Sequence, residues 1–338
     1  MSYMIQEKII SYKNIKEIRG TLAYWFANAA CQVLLGQREC DLAGETYDYL
    51  PEVAANLELI RDELERLKKY YHIFDSTRVR DGKSREIKLE DAISILTSPT
   101  PQEEFPYAPS DLFLEYGEYL EGFLDTNTLK RKNIFVSNII LSLAVLGAAI
   151  TFSYSISREN RRIYGYIGYS GLSLAGVSPT DRYFAARRIS GIVGKIARHD
   201  PPWEAVELAA ASMLVKEGLR PSDWDTFEVV EAYSGGNKIV IASYRVSHIS
   251  ALASSINRGF AQGFLELLER YENKVVKRVA DHIARGIYMY SLYRDPQYLH
   301  QALRPLMSRD IDDRMRGVMS GWEDVVDMIL QLGWSDDR

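Results

Sequence analysis

The chain has 338 residues, of which 46% are hydrophobic and 26% charged, with a net charge of −5. That apolar content supplies a sizeable core and excludes intrinsic disorder, collagen-like repetition and a disulfide miniprotein; the length corresponds to about two domains. The two cysteines, Cys31 and Cys40, stand nine apart without a CxxC, which argues against a disulfide framework or a zinc cluster and for a reducing cytosol.

The N-terminus, MSYMIQEKIISYKNIKEI, meets charge at once and has no apolar stretch of signal-peptide length. Ile15, Ile18, Leu22, Trp25, Phe26, Ala29, Ala30, Val33 and Leu34 then recur at three and four, which predicts a helical face ended by Gly36. From Pro51 the same period returns in Val53, Leu57, Ile60, Leu64 and Leu67. A charged break, RVRDGKSREIK, precedes a shorter helix over residues 89–96. Pro99, Pro101, Pro106 and Pro109 mark the densest proline stretch, read as a hinge, a partner-binding connector or an ordinary surface loop.

Residues 134–157, IFVSNIILSLAVLGAAITFSYSIS, are uncharged and long enough to span a bilayer, with basic residues on both sides. Their second half alternates, Phe152, Tyr154 and Ile156 against Ser153, Ser155 and Ser157, which is a strand period. The expectation is therefore a buried helix or strand running into an exposed strand, with a membrane span as the alternative. TFSYSIS and RIYGYIGYS predict one hairpin about a polar turn at Arg158 to Arg162. TFEVVEAY and KIVIASYRV predict a second about Ser234, Gly235, Gly236 and Asn237. Helices are expected between them over 181–198 and 203–217, divided by Pro201 and Pro202.

Beyond Val246 helical spacing resumes in Ile249, Leu252, Ile256, Phe260, Phe264, Leu267 and Tyr271, and again in Val275, Val279, Ile283 and Ile287. QYLHQALRPL and WEDVVDMILQL add shorter helices. The fold class expected is mainly α with a small antiparallel β part (α+β): an acidic helical lobe over 1–126, a basic α+β domain with two hairpins over 127–246 and a C-terminal helical bundle over 247–338.

No motif in the chain carries chemistry. The Ser234 to Lys238 turn lacks the spacing of a phosphate loop and runs into a strand, where a phosphate cradle needs a helix N-terminus. Asp310, Asp312 and Asp313 have Arg309 and Arg314 beside them and read as a solvated cap or loop, not a metal site. The five histidines are scattered, and His248 with Ser247 and Ser250 lacks the placed acid of a triad. No catalytic residue, metal, cofactor or small-molecule substrate is expected.

Charge distribution is the strongest functional signal. Residues 1–126 hold 14 Lys and Arg against 23 Asp and Glu, a balance of −9, and residues 200–338 hold 16 against 21. Residues 127–199 hold 11 against 2, a balance of +9 inside an acidic protein. There Arg158, Arg161, Arg162, Arg182, Arg187, Arg188, Lys195 and Arg198 alternate with Tyr154, Tyr164, Tyr166, Tyr169 and Tyr183. Guanidinium groups fork onto phosphates and tyrosine rings stack on bases, so the mixture suits nucleic acid. Asn160, at the first hairpin's turn, can both donate to and accept from a base edge. The alternative partner of this zone is an acidic protein surface.

With helical lobe, basic hairpin-bearing middle and helical tail in that order, the chain resembles the large subunit of archaeal type I-A CRISPR interference complexes. The resemblance covers the whole chain as an arrangement of lobes and rests on segments such as RENRRIYGYIGYSG, SGGNKIVIASYRV and GWEDVVDMILQLGW. It implies a cytoplasmic, non-catalytic subunit that works with guide RNA, target DNA and the other subunits, helps read a short motif beside the target and recruits a nuclease-helicase. An Arg-over-Lys bias fits a thermophilic source.

Overall fold

A computed structural model describes residues 8–37, 39–43, 47–67, 77–78, 84–85, 87–106, 134–158, 160–170, 177–219, 226–234, 239–304, 308, 315–316, 322, 326–327 and 329–330. The fold is mainly helical with a small antiparallel four-stranded sheet, as its sequence periods predict. The chain divides into two compact units, one of Met1–Phe152, Ser157–Ala186 and Val229–Tyr244, the other of Ser153–Ile156, Arg187–Glu228 and Arg245–Arg338. The expected boundary at 126 lies outside the described residues.

The first unit begins with β1 (Lys8–Ile10) and a 3-10 helix (Tyr12–Ile18). Gly20, at φ 83°, then interrupts the expected continuous apolar face, and α1 (Leu22–Leu35) starts afresh with Thr21 Oγ1 accepting from Tyr24 N at 3.1 Å. Gly36, at φ 68°, closes α1 in the left-handed region, as its place in the sequence predicts. Next come α2 (Leu50–Arg66), with Pro51 in its first turn, the two-residue strands β2 (Thr77–Arg78) and β3 (Ser84–Arg85), and α3 (Leu89–Leu96).

One expectation here is overturned. Cys31 and Cys40 are joined as a disulfide, their Cα atoms 5.3 Å apart. The turn at Gly36 brings the chain back along α1, and Asn28 Oδ1 accepts from Cys40 N at 2.8 Å. Sequence spacing alone does not show that reversal.

The apolar run resolves into β4 (Ile134–Val136), α4 (Asn138–Thr151) and β5 (Phe152–Arg158). β4 pairs in parallel with β1, Ile10 opposite Val136. Every residue of α4 is buried, so the run is a core helix wetted on no side. Its 14 residues cover about 21 Å, against about 30 Å of bilayer hydrocarbon. Among the described residues no helix is long and apolar enough to cross a membrane. α4 packs on α1 and α3, and on α1 the approach is close: a Cβ on Gly147 would lie 1.7 Å from Phe26 O.

The sheet is completed by β6 (Arg161–Ser170), β7 (Thr226–Ser234) and β8 (Ile239–His248), in the order β5-β6-β7-β8, so the two hairpins lie side by side. Between the hairpins run α5 (Pro179–Ala197) and α6 (Trp203–Lys216). The glycine turn after Ser234 lies outside the described residues.

In the second unit α6 packs against α7 (Ser250–Ser254), α8 (Arg258–Leu268) and α9 (Lys274–Tyr293), and α10 (Gln297–Leu303) packs on α9. Asn257 and Asn273 cap α8 and α9; Asn257 splits what reads in sequence as one apolar run, and Asn273 stands at the break expected between two. Most of the last segment expected to be helical, WEDVVDMILQL, lies outside the described residues.

Candidate nucleic-acid interface

β5 ends at Arg158 and β6 begins at Arg161, so the first hairpin turns where its polar residues predict. Asn160 has φ 63°, a left-handed backbone that asparagine tolerates better than most side chains. Arg158, Asn160, Arg161 and Arg162 are all exposed at this tip. The Arg161 guanidinium lies 4.7 Å from the centroid of the Tyr233 ring, and that of Arg162 5.5 Å from the Tyr164 ring. A guanidinium held over a ring in this way is restrained and still has N–H groups to donate to an oxyanion. Three guanidinium groups within five residues make the tip a local concentration of positive charge.

The remaining candidates are dispersed. Arg182 is buried, and its guanidinium donates from Nε to Val33 O at 2.7 Å, from Nη2 to Leu34 O at 2.7 Å and from Nη1 to Val177 O at 2.8 Å. Two of those acceptors are carbonyls of the last turn of α1, where Leu34 O also accepts from Asn56 Nδ2 at 2.8 Å, so Arg182 serves as that helix's C-terminal cation. Burial lowers its pKa from the ordinary arginine value. Composition places Arg182 in the basic zone but does not distinguish a buried arginine from a surface one.

On α5, Arg188 is exposed and ion-paired with Glu217, Arg187 is half-buried, and Lys195 is exposed. Arg188 and Lys195, seven apart, share one helix face. Among the tyrosines, Tyr154, Tyr166 and Tyr183 are buried and take no part in base stacking from the surface. Tyr166 belongs to the core of the first unit, with Phe26 edge-on at 5.0 Å, and burial raises its pKa. Tyr164 is half-buried under Arg162, and the side chain of Tyr169 lies outside the described set.

Asp310 to Asp313 also lie outside the described residues, among which no group of three or more His, Cys, Asp or Glu could hold a metal. Two features of the second unit escaped the sequence reading. One is the buried carboxyl of Glu207 on α6, and the other is a cavity of 550 Å³ lined by one face of α9. The α9 cations recur at three and four, a signal masked by the apolar residues with which they alternate.

No family model matches the chain, and no curated protein or solved structure matches it.

Proposed function

We propose that the chain is a non-catalytic nucleic-acid-binding subunit that grips phosphates through the tip of its first hairpin. The observation that carries this reading is the exposed cluster Arg158, Asn160, Arg161 and Arg162, with two of its guanidinium groups held over tyrosine rings. A short, rigid, cationic arm follows a phosphate backbone or enters a groove, where a flat basic face only docks against it. Membership of an RNA-guided CRISPR interference complex, with guide RNA, target DNA, partner subunits and a nuclease-helicase, rests on the resemblance of layout. The compartment proposed is the cytoplasm of a thermophile, a setting in which an internal disulfide such as Cys31–Cys40 persists.

The test is a salt titration of binding to single- and double-stranded oligonucleotides. Each neutralised phosphate contributes a logarithmic slope of roughly −0.7 to −0.9, so Arg161→Ala with Arg162→Ala flattens the slope by about one to two. Asn160→Gly keeps the left-handed turn and deletes the amide; it is expected to shift sequence preference more than affinity. An unchanged slope in the folded double variant assigns the basic zone to an acidic protein partner instead. The Arg188–Glu217 pair shows one of its cations already engaged by carboxylate.

A further inference from the structure

The cavity of the second unit is bounded on one side by α9, which turns Lys274, Lys277, Arg278, Asp281, His282 and Arg285 toward it, and on the other by Asp200, Pro201 and Pro202. The α9 positions fall at intervals of three and four, so a single helix face lines the wall. Its volume of 550 Å³ lies within the range of small-ligand pockets, about 300 to 1,000 Å³. Two of its cations are engaged. Lys277 Nζ lies 2.7 Å from Asp281 Oδ2, which with Tyr271 fixes that lysine against the helix, and Arg285 Nε lies 3.8 Å from Glu204. Among the described residues, Lys274 and Arg278 have no carboxylate within ion-pair distance.

The placement of these cations opposes what a helix favours. Lys274, Lys277 and Arg278 occupy the first turns of α9, where the helix dipole is positive, and the first turn holds no acidic residue. Like charge gathered at that end, beside a cavity, is relieved when an anion enters. An arginine fork, a lysine ammonium and the ring N–H of His282 on one wall suit an oxyanion with several acceptor oxygens. Opposite, Pro201 and Pro202 supply a conformationally fixed apolar stretch beside Asp200, and the lining as a whole holds four Lys and Arg against two Asp.

We infer that this pocket binds a phosphate group, through Lys274, Arg278 and His282, with Lys277 and Arg285 also lining it. The inference stands independently of the hairpin tip. The phosphate comes either from a free mononucleotide or from a nucleic-acid strand.

The test is titration calorimetry on the full chain with inorganic phosphate, with AMP and with a short single-stranded oligonucleotide. Wild-type chain is expected to bind phosphate and at least one of the other two. Lys274→Gln with Arg278→Gln weakens that binding by about tenfold or more, since two charge-assisted contacts are removed from exposed positions. Arg66→Gln, an exposed α2 cation outside both the cavity and the hairpin tip, leaves phosphate binding within about twofold. AMP binding without displacement by the oligonucleotide names a free nucleotide as the source, and displacement by the oligonucleotide names a strand. The inference is overturned if millimolar phosphate gives no binding to wild-type chain. It is overturned equally if the Lys274/Arg278 variant, folded by circular dichroism, binds as wild type does.

Discussion

Arg182 and Glu207 show how far the role of a charged residue depends on its surroundings. The buried Arg182 meets three carbonyls, so Arg182→Ala removes three donors at once, leaving Leu34 O with Asn56 alone, and is expected to cost about 3 kcal/mol. Chemical denaturation reads that loss. Glu207 is 3% exposed, its Oε2 has no hydrogen-bond partner among the described residues, and burial pushes its pKa up from the ordinary 4.5 to about 7. Hydrogen bonding from Ser247 and Trp203 and the charge of Arg245 offset part of that rise. Because the folded pKa is the higher one, the folded chain keeps a proton that the unfolded chain has already released between those two values. Stability from this group is therefore full below pH 4.5, declines as pH rises to about 7 and stays reduced above, by up to about 3 kcal/mol. Glu207→Gln is expected to flatten that decline and to be the more stable protein above neutrality; thermal melts from pH 4 to 8 compare the two. Neither role was legible in the sequence, since both follow from which backbone and side chains lie around the group.

At the scale of elements, local pattern carried most of the fold. The alternation of Phe152, Tyr154 and Ile156 separates β5 from the helix before it, and Gly36, Pro51 and Pro202 stand at or beside the helix ends their backbone chemistry favours. Where one side-chain period runs across a break, as at Gly20 and Asn257, pattern merged two elements into one. The parallel pair β1 and β4 was missed because three residues are too few to show a period and their partners lie more than a hundred positions apart. The close approach of α4 to α1 depends on a single absent methyl. Gly147→Ala would place Cβ against Phe26 O, a backbone atom that cannot swing aside, so α1 and α4 must separate. The expected loss is about 3 kcal/mol or more, despite alanine's better helix propensity, with a lowered melting temperature as the readout.

For the whole molecule, one covalent link and one charge pattern matter most. The Cys31–Cys40 disulfide closes a short loop at the end of α1, and restricting the unfolded chain in that way contributes about 2 to 3 kcal/mol. Reductant is expected to lower the denaturation midpoint by a matching amount, and thiol titration of the unfolded chain should find no free cysteine before reduction and two after. Composition and order along the chain were enough to determine a mainly helical protein with two hairpins in its middle and a +9 stretch within an acidic chain, while helix, strand and membrane span stayed open for the uncharged run until the fold buried α4 on every side. These depend on spacing between near neighbours, and helix and strand periods are local quantities. Tertiary structure alone decided that Cys31 and Cys40 meet, that Arg182 faces carbonyls and Tyr166 the core, and that the α9 cations border a cavity. Burial, pairing and enclosure are relations between residues brought together only when the chain folds, and no period in the sequence encodes them.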